Sequence, residues 1–75
     1  MNKARRAVLN KIINSLVDLK SELYTICDEE ECAYDNMPES LQESERGENM
    51  QEAVDAMNDA YDHIEEAVES LEGIF

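Results

Sequence analysis

Between Met50 and Leu71 the apolar residues Val54, Met57, Tyr61, Ile64, Val68 and Leu71 recur at alternating intervals of four and three. That spacing returns a side chain to the same side of an α-helix at each step. Ala53, Ala60 and Ala67 each stand one residue before a seam position and edge the stripe with small side chains. Almost everything off the stripe is Asp, Glu, Asn or Ser. Such a segment is a helix that must lay one face on something else.

A second stripe precedes it. Leu9, Ile12, Leu16, Leu19, Leu23 and Ile26 follow the same spacing, and the register continues through Glu30, Ala33 and Met37. Glu30 interrupts the apolar line, so contact is expected to loosen there. Ile13, Val17, Tyr24 and Cys27 widen the apolar surface beyond what one facing helix covers.

The connection between the stripes has turn chemistry. Pro38 disfavours helical geometry at Met37 and suits the first turn of a new helix. Ser40 followed by Glu43 matches a capping box. Gly47 interrupts whatever helix begins there. The spacing predicts a first helix over about 3–35, a turn region over about 36–48 holding a partial helical turn anchored by Leu41, and a second helix over about 49–73. In an antiparallel hairpin, facing residues keep a constant sum of positions. Leu9 with Leu71, Leu16 with Ile64, Leu23 with Met57, and Ile26 with Val54 share one such sum, whose midpoint falls at residue 40, inside the turn. The expected fold is therefore all-α, one domain over 1–75, an antiparallel two-helix hairpin with coiled-coil-like contacts. The surplus apolar surface predicts that two hairpins pair into a four-helix bundle, a homodimer.

Charge supports the antiparallel arrangement. Lys3, Arg5, Arg6 and Lys11 give residues 1–11 a charge of +4 with no acid among them. The remaining residues set nineteen acids against Lys20 and Arg46, a charge of -17, for a net -13. Basic residues at a helix N-terminus oppose its dipole. A chain that doubles back brings Glu65, Glu66, Glu69 and Glu72 near them. Direct nucleic-acid binding and anionic membrane binding are both disfavoured, because each depends on positive charge. A basic protein partner fits.

Candidate chemistry is sparse. His63 is the single histidine, with Asp59, Asp62 and Glu66 close by, but Ala60 stands three residues before it, where an inward Glu-x-x-His motif needs its carboxylate. Cys27 and Cys32 lie five apart without the C-x-x-C spacing of metal or redox pairs and read as free thiols. Ser15, Ser21, Ser40, Ser44 and Ser70 sit in no nucleophile motif. No catalytic, metal or cofactor site is expected, nor a membrane span or signal peptide, and the expected setting is cytoplasmic.

What remains are interaction surfaces. Tyr24 and Tyr34 lie off the main seam, as bundle flank or as partner contacts, since aromatic side chains are enriched in binding hot spots. Glu48, Glu52, Asp55, Asp59, Asp62, Glu66 and Glu69 form a carboxylate row along the second helix. The row is either an ordinary solvated face or an imitation of a phosphate line that occupies a basic groove in a DNA- or RNA-binding protein. The candidate contact residues are Tyr24, Tyr34, Asp55, Asp59, Asp62 and Glu66.

The turn from Asn36 through Met37, Pro38, Glu39, Ser40, Leu41 and Gln42 to Glu48, followed by acidic-Ala-apolar units up to Leu71, resembles small acidic helical proteins of Gram-positive bacteria, their prophages and integrative elements. The resemblance implies a bacterial or phage cytoplasm and assigns no residue a role. Three functions follow as expectations: a non-catalytic protein-interaction module, a nucleic-acid-mimicking inhibitor, and a structural or assembly component.

Overall fold

A computed structural model describes all of residues 1–75. It contains helices α1 (Lys3–Asp35), α2 (Glu39–Gln42) and α3 (Glu45–Glu72), with α1 and α3 packed antiparallel along their lengths. The resulting hairpin is a rod of 58 × 15 × 13 Å. Its radius of gyration, 17.1 Å, far exceeds the roughly 11 Å of a compact globule of this length. One seam between two helices therefore carries the whole fold.

Each long helix begins on a side-chain cap. Asn2 Oδ1 accepts a hydrogen bond from the Arg5 amide at 2.8 Å, which occupies one of the orphan N–H groups at the start of α1. The cap offsets part of the unfavourable interaction of Lys3, Arg5 and Arg6 with the helix dipole. At α3 the cap is Ser44, whose hydroxyl accepts from the Gly47 amide at 3.4 Å and donates to the Leu41 carbonyl. Glu45 and Glu48 in that first turn suit the dipole.

The turn corrects the reading of residues 36–48. No capping box forms at Ser40 and Glu43: α2 starts at Glu39 behind Pro38 as N-cap, which offers no side-chain hydrogen bond, and Ser44 caps the next helix instead. The second long helix accordingly begins at Glu45, four residues before the expected start at 49. Gly47 does not interrupt it. Gly47 is buried in the first turn of α3, and a Cβ there would run into the backbone of Gln42, 2.7 Å from its Cα. The missing side chain is what lets α2 fold back against α3. Gln42 closes the corner, its Nε2 donating at 2.9 Å to the Tyr34 carbonyl at the end of α1, which also accepts from the Met37 amide at 3.0 Å.

The seam on α3 is the expected one. Val68 is buried, and Val54, Met57, Tyr61, Ile64 and Leu71 are half-buried. On α1 the outcome differs. The residues turned toward α3 are Leu9, Ile13, Leu16, Lys20, Leu23, Cys27, Glu30, Tyr34 and Met37, with Ile13 and Cys27 fully buried. Ile12, Leu19 and Ile26, expected inside, are 46%, 55% and 56% exposed. Helix α1 carries two overlapping stripes that share Leu9, Leu16 and Leu23, and the helix is rolled so that the less apolar one faces inward. Specific partners hold it there. Cys27 Sγ lies 3.5 Å from Asn58 Oδ1 and 3.8 Å from the Val54 carbonyl. Lys20 extends over the Tyr61 ring, its ammonium 5.4 Å from the centroid.

Candidate interaction surface

Two antiparallel right-handed helices turn the residue preceding every second seam position, the heptad line through Ile13 on α1 and Val54 on α3, toward the same side of the plane they share, because the sense of rotation and the direction of travel both reverse. On α1 those residues are Arg5, Ile12, Leu19, Ile26 and Ala33; on α3 they are Ala53, Ala60 and Ala67. Val8, 58% exposed, extends the line toward the N-terminus. One broad face of the hairpin is thus a ridge of large aliphatic side chains beside a strip of alanines. Shallow grooves mark both its ends. Met1, Ala4, Val8, Leu9 and Ile12 line one at the open end, and Glu30, Arg46, Asn49, Met50 and Ala53 border the other near the turn.

The opposite face is mixed. Tyr24, 61% exposed, leans on Tyr61 with the ring centroids 6.0 Å apart and the planes at 54°. Tyr24 thereby shields the seam with one ring edge and offers the other to solvent. Tyr34 is half-buried and borders a groove with Glu31, Asp35, Gln51, Val54 and Asp55. Of the sequence candidates this groove brings together Tyr34 and Asp55 alone. Asp55, Asp59, Asp62 and Glu66 are all exposed on the back of α3, turned away from the aliphatic face.

Burial first, then the charges of Glu31 and Asp28, push the Cys27 thiol above its ordinary value. The thiolate is therefore disfavoured, opposite to what a nucleophilic cysteine needs. Cys32 is a free thiol on the surface. His63 is exposed, and no group of three or more His, Cys, Asp or Glu side chains is placed to hold a metal ion. No helix is long and apolar enough to cross a membrane.

The aliphatic face was visible in the sequence only as a surplus. Periodicity places Ile12, Leu19 and Ile26 in the hairpin's interior, and Ile13 and Cys27, which do lie inside, on the flank. The signal that both arrangements exist is the doubled stripe through Leu9, Leu16 and Leu23. Comparison with protein-family models, with curated proteins and with solved structures gave no match.

Proposed function

We propose that this chain is a small, acidic, non-catalytic protein-interaction module that works as a homodimeric four-helix bundle. The observation that carries the reading is the roll of α1. Its more apolar stripe points to solvent, Ile12, Leu19 and Ile26 lying outside while Lys20 takes the place of Leu19 in the seam. Burying apolar surface is worth about 25 cal/mol per Å2, so an isolated hairpin gains by the opposite roll. A hairpin whose outer stripe is covered by another subunit loses nothing by this one. Only three apolar side chains, Ile13, Cys27 and Val68, are buried within a single hairpin, which matches a unit that completes its core by association.

Solution mass by light scattering, over a range of salt and protein concentration, tests it. Two chains per particle is the expected result, and a folded single chain removes the dimer. Tyr24 and Tyr34, outside the aliphatic face, remain free to engage a further protein. Their replacement by Ala is expected to abolish that complex with helicity unchanged.

The exposure of the whole carboxylate row on the back of α3 favours a second reading, a mimic of nucleic acid that occupies a basic groove. Neutralising Asp55, Asp59, Asp62 and Glu66 to Asn or Gln would then weaken a salt-sensitive complex with a basic DNA- or RNA-binding protein. Binding indifferent to those changes excludes the mimic and leaves the module.

A further inference from the structure

We infer that the aliphatic face is covered by a second copy of this chain docked end over end, so that α1 lies antiparallel on the partner's α1 and α3 on the partner's α3. The inference rests on the dimeric reading above and adds the surface, the register and the direction.

The area fits one such contact. The hairpin exposes 5607 Å2, whereas a compact monomer of 8.6 kDa exposes about 4,700 Å2. The excess, roughly 900 Å2, is close to the ~800 Å2 that each partner contributes to a standard interface.

Register follows from pairing the stripe with itself. Antiparallel helices place complementary seam positions in shared layers. When the two-fold axis passes between Val17 and Asp18, Leu16 meets the partner's Leu19, Ile12 meets the partner's Leu23 and Leu9 meets the partner's Ile26. Every layer is then aliphatic on both sides. One layer further out, Arg5 meets the partner's Glu30, the single acid of the stripe. On α3 the corresponding centre is Asp62. It sets Ala60 against the partner's Ile64 and Ala53 against the partner's Leu71, a small side chain against a large one in each layer. The two centres lie at nearly the same height in the hairpin. Cys27 is level with Val54 and Lys20 with Tyr61, which puts Val17 level with Ile64, within about 3 Å of Asp62 along the axis. One two-fold axis serves both helix pairs.

Charge selects this direction over the alternative in which like ends coincide. The turn end holds Asp28, Glu29, Glu30, Glu31, Asp35, Glu39, Glu43 and Glu45 against Arg46 alone, while at the open end Lys3, Arg5, Arg6 and Lys11 on α1 balance Glu65, Glu66, Glu69 and Glu72 on α3. Docking end over end sets each turn against the partner's basic segment and separates the two acidic turns by most of the rod's 58 Å, several times the ~8 Å Debye length at physiological salt.

A charge swap tests it. Arg5 and Glu30 are about 37 Å apart along one helix, so any coupling between them must pass between chains. Arg5→Glu and Glu30→Arg are each expected to weaken dimerisation roughly tenfold in sedimentation equilibrium, and the double variant to recover most of the loss. Leu19→Asp, at an exposed position, is expected to yield a helical monomer, with helicity followed by circular dichroism. A wild-type particle of two chains that ignores Leu19→Asp, or shows no recovery in the double variant, overturns the docking and leaves the dimer standing. A wild-type particle of one chain overturns both.

Discussion

The ammonium of Lys20 stands 5.4 Å from the centre of the Tyr61 ring, in the layer where the apolar stripe of α1 offers Leu19. A lysine inside and a leucine outside is the reverse of what hydrophobicity alone favours. The contact works because the lysine stem lies along the seam while its charge meets the face of the aromatic ring. Tyr61 also receives Tyr24 at 6.0 Å, so two side chains converge on its ring.

Tyr61 is therefore a sensitive position in the seam. Tyr61→Ala is expected to cost about 3 kcal/mol, through lost aromatic burial and the contacts of Lys20 and Tyr24. Tyr61→Phe keeps the ring and should cost well under 1 kcal/mol. Urea denaturation of the two variants at one fixed protein concentration measures the difference.

Gly47 offers a prediction whose sign opposes helix propensity. Replacing a glycine by alanine inside a helix ordinarily gains about 1 kcal/mol. Here the added methyl meets the Gln42 backbone, which belongs to a turn held by hydrogen bonds and has little room to retreat. Gly47→Ala is expected to destabilise by about 2 kcal/mol, seen as a lower melting temperature and faster hydrogen exchange at the Gln42 to Glu45 amides.

Ser44 and Asn2 are the two capping side chains, and only Ser44 also bonds back to the preceding turn. Ser44→Ala and Asn2→Ala should each cost about 1 kcal/mol. Ser44→Ala alone should also loosen α2, read as increased exchange of the Leu41 amide. Equal exchange in both variants would separate the cap from the turn.

Cys27 links stability to alkaline pH. Its folded thiol titrates above the ordinary value of 9.0, so between the two values the folded state holds a proton that the unfolded state has released. Stability from this group is intact below about pH 9 and declines as pH rises through the folded value. The difference in unfolding free energy between the native chain and Cys27→Ala should therefore shrink above pH 9. Alkylation at pH 8, followed by mass spectrometry, should modify Cys32 well before Cys27.

Local rules were enough for the class of fold. Heptad spacing at Val54, Met57, Tyr61, Ile64, Val68 and Leu71 specifies one helix, the stripe from Leu9 to Ile26 specifies another, and Pro38 specifies a break between them. A helix's own periodicity and a turn's own chemistry depend on neighbours within four residues, so they can be read along the chain. The start of α3 at Glu45 differs from the expected 49 because Gly47 reads along the chain as a helix breaker and Ser40, rather than Ser44, as the cap. The choice between them rests on the fit of α2 against Gly47, a contact across the turn.

The roll of α1 was likewise closed to the sequence. Two stripes share Leu9, Leu16 and Leu23, and periodicity assigns both to the same helix with equal right. The tertiary structure decided between them through the partners that α3 supplies: Asn58 and the Val54 carbonyl for Cys27, and the Tyr61 ring for Lys20. Residue order alone determined that this chain makes two amphipathic helices and folds back on itself. Which side of the first helix faces inward, and therefore which side is left for another chain, was settled only by packing, because burial is a property of the facing surface as much as of the residue.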